Sequence, residues 1–155
     1  MFNIFKKGNT NDVCAPCDGK CLDITDSKDQ TFAGKLMGDG FLVKPTNNDV
    51  CSPASGTLTM IFPTLHAFGI KMDNDKEVLV HIGIDTVNLN GQGFKSYATV
   101  NSKVKAGQKI ISFDREKIEE QGYDTSVMVV MVGQGSVEKE NIGNDVKTKD
   151  VIIKG

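Results

Sequence analysis

The chain has no tryptophan, two tyrosines and two histidines in 155 residues, so imidazole chemistry can involve only His66 and His81. It lacks a basic excess. The formal net charge is −2 and the pI near 5.7, which argues against a nucleic-acid binder, a class that normally carries a basic face. No apolar run approaches the roughly 18 residues needed to span a bilayer. The opening Met1-Phe2-Asn3-Ile4-Phe5-Lys6-Lys7 is too short for a signal peptide and has no apolar core. A cytoplasmic location is expected, with residues 1–12 as a flexible tail and 13–155 as one domain. Weak membrane contact through residues 1–7 is the alternative reading of that tip.

Cysteine is scarce as well. Cys14-x-x-Cys17, Cys21 and Cys51 lack a second C-x-x-C, and neither histidine stands at zinc-finger spacing from them. Reduced thiols of this kind behave as small apolar residues. There is no G-x-S-x-G elbow and no G-x-x-x-x-G-K-[ST] loop, so neither a serine nucleophile nor a bound nucleotide is indicated. No cofactor is expected.

Short apolar runs divided by Gly, Asn and Asp indicate strands. They are Gly19–Ile24, Gly40–Lys44, Gly56–Phe62, Ala67–Met72, Val78–Ile84, Lys109–Phe113, Ser126–Val132 and Val151–Ile153. Asp114–Gln121 reads as a helix capped by Asp114 and stopped by Gly122, and Thr31–Leu36 as a short turn. The frame V-C-x-P-x-x-G-x-x-x-x-I occurs at Val13–Ile24 and again at Val50–Ile61. Each Pro belongs at a strand start or edge, and each Gly at a sharp bend. The fold expected is an all-β antiparallel sandwich or barrel built on a duplicated unit, with short helical turns. Val104-Lys105-Ala106-Gly107 suggests a hammerhead-type turn, but no methionines flank a turn lysine as they do in lysine-modified carriers.

Between the histidines, Ile70–Val78 places two apolar runs around Asp73-Asn74-Asp75, the pattern of a β-hairpin. A turn on Asp73-Asn74 sets His66 opposite His81; a turn on Asn74-Asp75 sets His81 opposite Phe68, with His66 on the diagonal. Both put the imidazoles on one face, roughly 5–8 Å apart at Cβ. A three-residue loop would separate the faces unless a bulge restored them. Val78, Val80, Ile82 and Ile84 form the core row. His81 then shares its face with Leu79, Gly83 and Asp85, and with Thr64, His66 and Phe68 from the preceding strand. Phe68 and Leu79 would form an apolar surround for a protein partner, and Gly83 would keep the surface open. Neutral imidazole is a nucleophile for phosphoryl transfer, and a second histidine, held by the Thr64 hydroxyl, can donate to the phosphoryl oxygens. The rival chemistry is metal binding. His66 and His81 can act as transient zinc ligands, although structural zinc wants four protein ligands and catalytic zinc three.

Taken with Gly38-Asp39-Gly40, Ser52-Pro53-Ala54-Ser55-Gly56, Phe62-Pro63-Thr64-Leu65-His66-Ala67-Phe68, His81-Ile82-Gly83-Ile84-Asp85-Thr86-Val87 and Gly91-Gln92-Gly93-Phe94, these residues resemble a known family. It is the glucose-type IIA domain of the bacterial phosphoenolpyruvate-dependent sugar phosphotransferase system, and the likeness runs from about Cys14 to Ile153. The resemblance implies a phosphotransferase component. His81 would accept phosphate on Nε2 from the histidine-containing phosphocarrier protein and pass it to a cysteine of a IIB domain. It implies His66 as stabiliser, Thr64 as its hydrogen-bond partner, and Asp39 and Asp85 as rim carboxylates for basic partner residues. Phe62 and Val87 join Phe68, Leu79 and Gly83 as expected partner contacts. A free-standing IIA and an excised one fit equally.

Overall fold

A computed structural model describes residues 11–155. Residues 1–10 of the expected tail, with the membrane tip at 1–7, lie outside the described residues. Asp12 is not tail-like: it is buried, and its carboxylate accepts the Gly155 amide at 2.9 Å.

The strands are β1 (Val13–Cys14), β2 (Gly19–Asp23), β3 (Gly40–Pro45), β4 (Asp49–Cys51), β5 (Gly56–Ile61), β6 (Ala67–Met72), β7 (Glu77–Ile82), β8 (Phe94–Ser96), β9 (Lys103–Val104), β10 (Lys109–Phe113), β11 (Val127–Met131), β12 (Asp145–Val146) and β13 (Val151–Ile153). The helices are α1 (Gln30–Ala33) and α2 (Arg115–Glu120), and 3₁₀ turns lie at Ile24–Asp26 and Thr86–Leu89. Gly122, at φ +96°, ends α2 as its sequence position suggests. Asp114 stands at the N-cap, but its side chain makes no capping bond.

All pairings are antiparallel, which bears out the all-β sandwich. The largest sheet runs β12-β2-β3-β11-β7-β6-β5-β9, beside the smaller β4-β10-β8 and β1-β13. The duplicated frame folds twice in the same way. Each copy is a short strand, a bend at its proline and a long strand opening on glycine, and the copies exchange backbone bonds: Cys14 N–H to the Pro53 carbonyl and Cys51 N–H to the Pro16 carbonyl. Each also clasps a distant turn, Ala15 against Lys149 and Asp150, Ser52 against Gly107 and Gln108. The four cysteines are reduced and buried.

Alternation along the strands separates two apolar clusters. Val78, Val80 and Ile82 of β7, Phe41 and Val43 of β3, and Val127 and Val129 of β11 enter the main core, against Ile110, Ile111 and Phe113 of the smaller sheet. The opposite face carries Leu42, Ala67, Leu79, Met128 and Val130, capped by Ile24 and Phe32 from the segment joining β2 to β3. His81 belongs to this second face. Ile84 packs there too, not in the main core, because the chain turns at Gly83, φ +79°.

Candidate functional site

The hairpin closes differently from either two-residue turn. Lys71 pairs with Glu77 and Ala67 with His81, leaving the three-residue loop Asp73–Asp75 with Asp75 at φ +69°. Regular alternation would therefore set His66 on the face opposite His81. It does not, because His66 lies just outside β6, after a turn. The Leu65 amide donates to the Phe62 carbonyl, and Leu65 itself is left-handed at φ +61°. That turn swings the His66 ring back toward His81, although the Ile82 amide still donates to the His66 carbonyl.

The two imidazole centroids are 4.9 Å apart and nearly perpendicular, at 81°. Each ring also meets one phenyl group: Phe62 lies edge-on to His66 at 5.3 Å, and Phe32 stands 5.0 Å from His81. His66 is 4% exposed, while His81 is partly open to solvent.

Hydrogen bonds orient both rings. His81 Nδ1 is 2.8 Å from the Gly83 carbonyl. A carbonyl only accepts, so Nδ1 carries the proton and Nε2 keeps a lone pair. Thr64 Oγ1 lies 2.6 Å from His66 Nδ1. A hydroxyl that donates there leaves the proton of the neutral ring on Nε2. Burial pushes His66 down to about 4, and neighbouring His81 adds to the effect. Burial also lowers His81, outweighing the Gly83 carbonyl and the carboxylates of Asp29 and Asp85 that favour its charged form. Both rings are therefore neutral near pH 7.

The expected surround needs correction. Phe68 is fully buried in the main core, since it pairs with Val80 on the other face. Asp39 is no rim carboxylate: it is 1% exposed and bound to Lys139. Leu79 and Gly83 are buried, Leu79 in the second cluster behind His81. Phe62 is partly covered, Asp85 is exposed, and Val87 is 46% exposed. Sequence reasoning missed Phe32 and Asp29. Both come from the irregular segment after β2, and no spacing ties that segment to His81. Asp29 caps α1 by accepting the Thr31 amide at 2.9 Å, and its charge acts on His81. Among the described residues, no cluster of three or more His, Cys, Asp or Glu is arranged to hold a metal.

An antiparallel β-domain with two crossed, neutral imidazoles on one face defines a histidine-centred protein with a ready nucleophile. Residues 11–137 match the family model for the phosphoenolpyruvate-dependent sugar phosphotransferase system, EIIA 1. The glucose-specific EIIA component of Bacillus cereus is 38% identical over 138 residues, covering 89% of this chain and 84% of that protein. The glucose-specific EIICBA component of Streptococcus pneumoniae is 42% identical over 132 residues, covering 85% of this chain and 18% of the longer protein. The solved glucose permease IIA from Mycoplasma capricolum superposes with a TM-score of 0.84 at 37% identity, covering 99% of this chain and 98% of that one. The chain belongs to the EIIA 1 family of the phosphoenolpyruvate-dependent sugar phosphotransferase system. It is a phosphoryl carrier of that system.

Proposed function

We propose that His81 is the phosphoryl acceptor, His66 the group that steadies the phosphoryl oxygens, and Thr64 the residue that sets the His66 tautomer. The observation that carries this reading is the Gly83 carbonyl at 2.8 Å from His81 Nδ1, with the His66 ring 4.9 Å away. The lone pair on His81 Nε2 attacks the phosphorus of a phosphohistidine on the histidine-containing phosphocarrier protein. A new N–P bond forms as the donor's N–P bond breaks, and its electron pair returns to the donor imidazole. Onward transfer reverses this geometry toward a cysteine thiolate of a IIB domain: an S–P bond forms as the His81 Nε2–P bond breaks, and its electron pair returns to the His81 ring. The Nε2–H of His66 donates to the phosphoryl oxygens where charge builds up. A neutral ring suits acceptance, because an imidazole protonated on both nitrogens has no lone pair to give, and with Nδ1 protonated it is also the form in which His81 leaves in the second step.

Fusion of the matching segment into the Streptococcus EIICBA component supports a membrane permease as the eventual recipient. The reading places the carrier on the cytoplasmic side, and exposed Asp85 and Val87 would meet the partners there. Incubation with phosphoenolpyruvate, the system's phosphorylating enzyme and the carrier protein should give one acid-labile phosphate. Peptide mapping should assign it to His81. His81→Ala should take none, and His66→Gln should accept phosphate yet pass it on slowly. Label that persists in the His81 variant contradicts the assignment.

A further inference from the structure

The segment from Asp23 to Asp39 contains only a 3₁₀ turn, the four-residue α1 and bends, yet it brings Phe32 and Asp29 to His81. So little regular structure cannot hold a ring in place by its own ladder bonds. Part of the hold is apolar: Ile24 and Phe32 pack with Leu42, Leu79, Met128 and Val130. Backbone bonds fix its far end, from the Gly133 amide to the Met37 carbonyl and from the Asp39 amide to the Gln134 carbonyl, and one side-chain cation links that end to the start. Lys139 Nζ donates to Asp23 Oδ1 at 2.6 Å and to Asp39 Oδ1 at 2.7 Å, so a single ammonium ties the residue that opens the segment to the residue that closes it.

This is no surface pair. The Lys139 side chain is 8% exposed and that of Asp39 1%. Asp39 is further fixed by the amides of Gly40 at 2.8 Å and Val137 at 2.9 Å, and Lys35 approaches it at 3.5 Å from the partly exposed side. The second oxygen of Asp23 holds Thr25 at the start of the 3₁₀ turn. Burial alone would raise both carboxyls and lower the ammonium. Their mutual pairing and the amide donors reverse all three. The Lys139–Asp39 pair is costly to break one partner at a time, because the survivor stays buried with its main counter-charge gone.

We propose that Lys139 is a positioning residue for the phosphoryl site: by clamping both ends of the Asp23–Asp39 segment it keeps the Phe32 ring against His81 and the Asp29 charge in its neighbourhood. The inference rests on the reading of His81 as acceptor and extends it to a residue that touches neither imidazole. A purely structural lysine would change stability and leave the His81 environment as it was.

The test compares Lys139→Met, Lys139→Arg and the uncharged set Lys139→Met/Asp23→Asn/Asp39→Asn with the wild type. Three quantities are read: the rate of phosphoryl acceptance from the carrier protein, the His81 titration by NMR, and amide exchange across residues 24–38. Lys139→Met should accept phosphate at least about tenfold more slowly. Its His81 midpoint should rise, since loss of burial outweighs loss of Asp29, and exchange in 24–38 should quicken while β7 stays protected. Lys139→Arg should keep most of the wild-type rate. If Lys139→Met does not fold, the uncharged set is read in its place, with the same changes expected. Rates and His81 titration within twofold of wild type in a folded variant overturn the clamp. A wild type that takes no phosphoryl group on His81 overturns the functional reading instead, and the titration and exchange then decide the clamp alone.

Discussion

The Gly83 carbonyl oxygen stands 2.8 Å from Nδ1 of His81, and this contact decides which nitrogen of the ring is free. The relationship is local, two residues apart, yet it depends on a network beyond it. The Gly83 amide donates to the Ser126 carbonyl and the Ile84 amide to the Asp124 carbonyl. Thr86, 1% exposed, donates its hydroxyl to the Ile82 carbonyl. The turn after β7 is thereby held on both sides.

That carbonyl can sit where it does because Gly83 has no side chain. At φ +79°, a Cβ would meet Thr86 Cγ2 at 2.5 Å and the Asp124 carbonyl at 3.0 Å. Gly83→Ala is expected to cost about 1–3 kcal/mol in urea denaturation. It should also slow acceptance by about 10- to 100-fold as the imidazole loses its alignment.

Thr64 gives the second prediction. Replacing it with valine removes the hydroxyl bonded to His66 Nδ1 and lets the tautomer drift. Onward transfer to a IIB cysteine should slow by roughly 3- to 10-fold, one hydrogen bond's worth in the transition state. Thr64→Ser should keep the wild-type rate, and ¹⁵N shifts of His66 should report the tautomer directly.

The third concerns pH. Folding lowers the His66 imidazole from 6.5 to about 4, so between those values the unfolded chain binds the proton and the folded one does not. Stability from this group is unaffected above the unfolded value and falls as pH drops from 6.5 toward 4. The loss amounts to about 3 kcal/mol at most. His66→Gln should show a shallower decline over that window when urea midpoints are measured at each pH. The difference between the two proteins isolates the histidine from the carboxylates.

Phe32 gives the fourth. Phe32→Ala should destabilise the fold by about 3 kcal/mol, since the ring is buried in the second apolar cluster. It should also raise the His81 titration midpoint by admitting water, which NMR can follow in the same sample.

The sequence shows the strands that carry apolar alternation over five or six residues: β2, β3, β5, β6, β7, β10 and β11 all lie within two residues of their expected bounds. It does not show β1, β4, β8, β9 or β12, because two or three residues cannot establish a period. The pairing of His66 with His81 is right, but the route to it differs from either two-residue turn. The parity of the hairpin is decided by Asp75 taking a left-handed conformation, and the return to one face by Leu65 doing the same. Neither residue advertises that geometry as a glycine would. Asp39 misleads for another reason. Its neighbourhood is set by Lys139, 100 residues along the chain, and no local pattern records such a partner. Phe32 and Asp29 reach His81 by the same kind of long-range placement.

Phosphorylation of ¹⁵N-histidine-labelled protein, followed by a long-range proton–nitrogen spectrum, tests the central claim most directly. The account predicts a phosphorus-coupled Nε2 on His81 with its Nδ1 still protonated, while His66 shows no phosphorus coupling. Coupling at His81 Nδ1, or on the His66 ring, would contradict it.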